Sequence, residues 1–248
     1  MQTIATIGLD IAKSVFQVHG VHAAGQVVVR RQLKRHRRQG QAWQHQQTRG
    51  SPGAALPPDW VIDRARALID WRQISVEPGA VRVGNGQRLT LNDLGQGYLT
   101  DRVADLLAAR GLQHVLVDLG EQRALTPRQS GAPWVVARES AAPIQLLHGA
   151  LATSEGSGCV LGADGAAHHL FDPHTGRSPA HWKTITVHHR SAAIADALTN
   201  ALYIATADEI KAMLPHIAGA VVWERDHDDR EWCWTSPPVH GVAPEEAS

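Results

Sequence analysis

Along the 248-residue chain, apolar positions fall in short runs broken by Gly, Pro, Asn and Ser. Near the start, Ile4–Leu9 is a continuous apolar strand run, Val15–His19 alternates, and Val27–Val29 follows the turn pair Ala24-Gly25. Periodicity disappears over 39–58 and returns at Pro57-Pro58. There Asp59 is placed to cap an amphipathic helix carrying Trp60, Ile62, Leu68 and Ile69. Ile74 with Val76, Val81 with Val83, and Leu89 with Leu91 then predict three short strands around the turns Pro78-Gly79 and Asn85-Gly86.

The stretch Leu91–Gly120 predicts a strand end, a turn at Gly95 and Gly97, one amphipathic helix and a second strand. Thr100 is the predicted N-cap, and Asp101 would sit in the favourable field of that helix start. Val103, Ala104, Leu106 and Leu107 have the spacing of a buried face, Gly111 ends the helix, and Val115–Leu119 is an apolar strand run. Further strands are predicted within Gly131–Ala137, at Cys159–Leu161 and at Thr184–Val187, the last leading into a helix. Thr206 and Glu209 make a capping-box pattern ahead of Ile210, Met213 and Leu214. Ala220–Trp223 and Trp232–Thr235 flank the polar tip Arg225–Arg230 as a closing hairpin. The predicted fold class is α+β, with mixed or antiparallel sheets and packed helices, and not a doubly wound sheet.

Composition narrows the function classes. Lys plus Arg equals Asp plus Glu at 24 each, so no global charge points to nucleic acid or a membrane surface. The two cysteines, Cys159 and Cys233, form no disulfide framework and no ligand cluster. No apolar run approaches the roughly 18 residues of a membrane span. The opening MQTIATIGLD lacks the basic head and apolar core of a signal peptide, so a cytoplasmic location is expected. The composition shift divides the chain into a separate unit over 1–36, a disordered junction over 37–56, a main domain over 57–240 and a tail over 241–248.

Three stretches carry candidate chemistry. In the predicted helix after Thr184–Val187, Asp196, Thr199 and Asn200 are three and four residues apart, which puts their oxygens on one face. Oxygen donors of that kind suit Mg²⁺, with a pyrophosphate completing the shell. His169-Leu170-Phe171-Asp172-Pro173-His174-Thr175-Gly176-Arg177 combines Asp-Pro with Thr-Gly, a rigid turn that presents backbone groups and a histidine toward one site. The third is Thr90-Leu91-Asn92-Asp93-Leu94-Gly95-Gln96-Gly97-Tyr98, with Asp101 after it.

Together these three stretches, in this order and over about residues 57–240, resemble the FAD:protein FMN transferases, the ApbE family. The resemblance implies a transferase that moves FMN from FAD to a Thr or Ser of a target flavoprotein and releases AMP. It implies Mg²⁺ and FAD, as substrate, at the site, and a flavoprotein acceptor as partner. Asp196, Thr199, Asn200 and the backbone carbonyl at Asp93 would hold the metal. Thr90, Gln96 and Phe171 would line the FAD site, and His169, with Asp196 anchoring the metal, would be catalytic. The departures are Thr90 where many members have aspartate, Asp93 at a usually small position, and Asn200 for a threonine. Thr153-Ser154-Glu155-Gly156 stands where the family has threonine-serine-glycine. Relative to the family, the domain would be truncated at its N-terminus, and its usual location is periplasmic or membrane-anchored.

Residues 1–36 resemble instead the N-terminus of a DEDD-type insertion-sequence transposase, in which Asp10 would be the first metal carboxylate. No matching later carboxylates follow, so no nuclease activity is expected of it. The run Arg30–Arg38, RRQLKRHRR, holds six basic residues in nine and can neutralise phosphates, yet such a run is more often a solvated segment. Nucleic acid is not the expected partner. The alternatives to an active transferase are a noncatalytic flavin- or Mg²⁺-binding remnant and a nucleic-acid-binding transposase-fragment fusion.

Overall fold

The computed structural model describes residues 4–12, 15–22, 27–34, 57–161 and 167–238. The junction predicted over 37–56 and the tail from 241 lie outside the described residues, and no side chain ahead of residue 57 is described.

The strands are β1 (Ile4–Ala12), β2 (Val15–His22) and β3 (Val27–Lys34), then β4 (Ser75–Glu77) and β5 (Ala80–Arg82). They continue as β6 (Leu116–Asp118), β7 (Gln122–Ala124), β8 (Trp134–Arg138), β9 (Ala141–Leu146) and β10 (Gly149–Glu155). The last five are β11 (Val160–Leu161), β12 (Ala167–His168), β13 (Thr184–His189), β14 (Val221–Arg225) and β15 (Glu231–Thr235). Among the described residues four α-helices intervene: α1 (Asp59–Arg66), α2 (Asn92–Ala109), α3 (Ala192–Tyr203) and α4 (Ala207–Met213). None is long and apolar enough to cross a membrane.

Nine strands form one sheet in the order β15-β14-β13-β10-β7-β6-β1-β2-β3. Every junction is antiparallel except β1 on β6, where Ile7 lies opposite Val117. The α+β class and the mixed sheet match the sequence prediction.

Alternation along the central strands builds two layers. On one face Ala152, Ile185, Val187 and Val222 pack with Ala195, Leu202 and Tyr203 of α3 and Ile210 of α4. Beside them Val115, Val117 and Leu119 pack under Ala104 of α2. On the opposite face Leu151 and Ala124 are covered by Trp134, Ile144 and Leu146 of the β8–β9 hairpin. The residues adjacent in sequence, Leu151 and Ala152, therefore belong to different layers.

Several local expectations need correction. Gly95 and Gly97 are not in a turn, because α2 starts at Asn92 and runs through both. Thr100 is therefore not a cap. It lies mid-helix, fully buried, with its hydroxyl donating back to the Gln96 carbonyl one turn earlier. Leu106, expected on the buried face, is 51% exposed. The strand predicted at Leu89–Leu91 is absent. The Gln87 side chain instead donates to the carbonyls of Leu68 and Asp70, tying that loop back to the segment after α1. Helix α1 ends at Arg66, ahead of Leu68 and Ile69, and Asp59 gives no capping bond. The Pro78-Gly79 hairpin, the Gly111 helix stop, the Thr206–Glu209 capping box and the closing hairpin are all present.

Candidate functional site

The site is built where α2 crosses the start of α3. Gly97 permits that crossing: a Cβ there would lie 2.3 Å from the Ala192 carbonyl oxygen. Only a residue without a side chain lets the two backbones approach so closely. One turn later Asp101 completes the junction. Its carboxylate accepts the Ser191 hydroxyl at 2.7 Å and the backbone N–H groups of Ala192 at 2.9 Å and Ala193 at 3.1 Å. Asp101 also pairs with Arg123 of β7 at 2.6 Å. The sequence placed its charge at the start of its own helix; the charge serves the N-terminus of α3 instead. Burial opposes ionisation of Asp101, but the bonds from Ser191, Ala192 and Ala193 and the Arg123 charge outweigh it and hold its pKa low.

With the helices locked together, the polar face of α3 meets the end of β10. Asp196 is 6% exposed, and its Oδ2 accepts the Gly97 backbone N–H at 2.9 Å. Thr199, one turn on, donates to the Asp196 carbonyl at 2.7 Å and accepts from the Ser154 hydroxyl at 2.9 Å. The Ser154 hydroxyl also lies 3.2 Å from Asn200 Oδ1. Asn200 Nδ2 reaches the Asp196 carbonyl at 3.1 Å and the Asp93 carbonyl at 3.4 Å. The structure thus brings Asp196, Thr199 and Asn200 together, as their spacing predicts, with the Asp93 carbonyl that the resemblance implies, and adds Ser154. Burial pushes the Asp196 pKa up, the Gly97 N–H opposes this, and the Asp93 charge pushes the same way as burial.

Beneath this cluster lies a carboxylate that the sequence did not single out. Glu121 is 8% exposed at the turn between β6 and β7. Its carboxylate accepts the Thr153 backbone N–H, while Oε2 has no hydrogen-bond partner. Burial and then the Asp196 charge push its pKa up to about 8, against the Thr153 N–H, with Asp118 adding to the rise. In LVDLGEQRAL a glutamate after Gly reads as an exposed turn residue, so no local signal marked it.

All these donors are oxygens, and two of them belong to carboxylates. That chemistry fits a hard divalent cation such as Mg²⁺, which takes one or two protein carboxylates and completes its shell elsewhere. Among the described residues no three side chains of His, Cys, Asp or Glu gather as a ready-made metal cluster. Any cation here would rely on carbonyl, hydroxyl and amide oxygens as well.

Of the remaining predicted residues, Thr90 and Gln96 lie just ahead of and on α2, and His169 and Phe171 follow β12. Thr90 is exposed two residues ahead of α2. Gln96 is exposed in the second turn of α2 and donates to the Leu119 carbonyl at 3.2 Å. His169 is exposed just after β12, its backbone N–H bonded to the Cys159 carbonyl at 3.0 Å. Phe171 is 48% exposed. Neighbouring His168 has a structural part: its buried ring lies 2.9 Å from the Pro179 carbonyl and accepts the Leu170 N–H, which requires a neutral ring with the proton on Nε2. The same ring packs edge-on against Tyr203 of α3, and the Tyr203 hydroxyl accepts the Gly156 N–H at 3.0 Å. Those contacts hold the His169 loop at the α3 end of β10. The Asp172–Arg177 turn is rigid as predicted. Gly176 N–H closes it on the Asp172 carbonyl at 2.7 Å, and Arg177 pairs with Asp59 of α1.

The ApbE family profile matches residues 37–222, three quarters of the chain and the whole of this site. The chain belongs to the ApbE family. Its fold is similar to that of the ApbE protein of Thermotoga maritima, with TM-score 0.63, 25% identity and coverage of 73% of this chain and 62% of that one. The flavinyl transferase ApbE of Pseudomonas stutzeri matches with TM-score 0.60 and 25% identity, over 74% of this chain and 59% of that one. The flavin transferase ApbE of Vibrio cholerae shares the fold at TM-score 0.61 and 22% identity, over 75% of this chain and 63% of that one. The chain spans about three fifths of the length of these relatives. No curated protein matches its sequence.

Within this ApbE-family fold a cavity lies on the sheet face opposite the helix-side cluster. Across the sheet, a space of about 290 Å³ lies under the β8–β9 hairpin, lined in part by Thr153, Thr186, Glu139 and Arg225. The guanidinium of buried Arg225 donates to the Glu139 carbonyl there, which anchors the hairpin turn.

Proposed function

We propose that this chain is an Mg²⁺-dependent FAD:protein FMN transferase, taking FAD as substrate and a Thr or Ser of a flavoprotein as acceptor. The single observation that best supports the reading is the buried Asp196. The Gly97 N–H bonds one of its carboxylate oxygens, while its backbone carbonyl accepts from Thr199 and Asn200, which also reaches the Asp93 carbonyl.

In this reading Asp196, Thr199, Asn200 and the Asp93 carbonyl hold Mg²⁺. Bound there, the ion would supply neutralisation of pyrophosphate charge. Gln96, Thr90 and Phe171 orient FAD. The acceptor hydroxyl attacks the FMN phosphorus, a new P–O bond forms, the bond to AMP breaks, and AMP leaves with the pyrophosphate-bridge oxygen. His169, exposed on the loop after β12 with its backbone bonded to Cys159, accepts the hydroxyl proton.

The test incubates the full chain with FAD, Mg²⁺ and an acceptor domain bearing a target threonine, and seeks a covalent FMN adduct by mass spectrometry. An adduct that disappears in Asp196→Ala is the expected result. FAD-dependent thermal stabilisation without any adduct would replace the reading with a noncatalytic flavin-binding one. Neither adduct nor stabilisation would sink both.

A further inference from the structure

We infer that Glu121 is a second metal-facing carboxylate, which joins Asp196 in holding the divalent cation of this site. The inference rests on the proposed reading of the Asp196 cluster as a metal site, and it concerns a residue outside the set recognised from sequence.

The backbone of Glu121 is fixed toward the helices. Its carbonyl accepts the Leu119 N–H at 3.1 Å and the hydroxyl of Thr100, one turn after Gly97, at 3.4 Å. Alternation along β7 gives the same direction. Gln122 lines the cavity on the hairpin side, whereas Arg123, two residues after Glu121, reaches Asp101 on α2. On its other flank the Glu121 carboxylate is bonded by the N–H of Thr153, next to Ser154, which contacts Thr199 and Asn200. The carboxylate is therefore held at β10, the strand that carries Ser154, while its backbone bonds to α2, the helix that carries Gly97.

What Glu121 lacks, among the described residues, is a counter-charge. Arg123 of the neighbouring β7 is taken by Asp101 at 2.6 Å and Asp105 at 3.5 Å. A carboxylate only 8% exposed, with one oxygen unbonded, is costly when ionised. Protonation relieves only half of that cost, because the resulting O–H has no acceptor within reach of Oε2. A divalent cation answers both deficits: it supplies the charge and it bonds the free oxygen. Asp196 faces the same pressure, since its one described side-chain bond leaves a second oxygen for the same ion.

The experiment titrates Mn²⁺, a spectroscopically visible stand-in for Mg²⁺, into the full chain without acceptor, following free Mn²⁺ by electron paramagnetic resonance. Wild type, Glu121→Gln, Glu121→Asp and Asp196→Asn are compared, each with a melting curve in EDTA. Wild type is expected to bind, Glu121→Gln to bind at least about tenfold more weakly, and Glu121→Asp to fall between them. In EDTA Glu121→Gln should melt no lower than wild type, so weaker binding cannot be unfolding. If Glu121→Gln misfolds, the Glu121→Asp affinity decides, and a value equal to wild type overturns the inference. Glu121→Gln binding within twofold of wild type, while Asp196→Asn loses the ion, removes Glu121 and leaves the metal reading intact. No Mn²⁺ binding by wild type at millimolar concentration overturns both.

Discussion

Asp101 on α2 accepts the backbone N–H of Ala192, the first residue of α3, at 2.9 Å. One helix thereby caps the next, and the same two helices meet at Gly97, where the backbones come too close for any side chain. The position of Asp196 follows from this junction, because its carboxylate is held by the Gly97 N–H.

Asp101→Asn should cost about 2 kcal/mol at neutral pH, by weakening the cap and leaving Arg123 only its longer pairing with Asp105. The pKa of Asp101 is held below the ordinary 3.8, so its contribution is fully present above that value and is lost as pH falls through its lowered pKa. Urea unfolding of both proteins from pH 7 down to pH 2 should show the gap closing only below about pH 4. A gap constant with pH would mean the carboxylate charge is irrelevant there.

The two glycines of α2 should respond in opposite ways to alanine. Gly97→Ala forces a Cβ against the Ala192 carbonyl and should destabilise by about 3 kcal/mol while breaking the Asp196 contact. A methyl group at position 95 would meet nothing within 4 Å, and Gly95→Ala should stabilise by about 0.5–1 kcal/mol. Denaturant midpoints of the pair decide the matter, and equal effects would contradict the crossing geometry.

Removing the Ser154 hydroxyl takes a bond from Thr199 and another from Asn200. Ser154→Ala should lower stability by about 1 kcal/mol and weaken Mn²⁺ binding, since both partners lose their orientation. Differential scanning calorimetry with and without Mn²⁺ reads both effects, and unchanged binding would confine Ser154 to packing.

His169→Ala tests the proton acceptor. The ring is exposed, so stability should change by no more than about 0.5 kcal/mol, read from the melting temperature. FMN transfer should fall by about 10²–10⁴-fold with FAD-induced stabilisation retained. Transfer at the wild-type rate would assign the proton to another group.

Much of the site was legible locally. Asp196, Thr199 and Asn200 are neighbours because helical spacing of three and four makes them so, and the Asp172–Gly176 turn follows from Asp-Pro and Thr-Gly chemistry. The misreading of Gly95 and Gly97 shows where local rules stop. Two glycines just ahead of a threonine argue for a turn on propensity, yet packing against α3 makes a glycine the one residue α2 accepts at position 97.

By itself, then, the sequence determined the fold class, several turns such as Pro78-Gly79 and the three motifs, since periodicity and turn chemistry act over a few residues. Only the tertiary structure decided that Asp101 serves a different helix, that Glu121 is buried without a counter-ion, and that Gly97 holds Asp196 across a separation of 99 residues. Those are relations of close approach and desolvation between distant segments. They come into being only when the sheet and its two helices pack together.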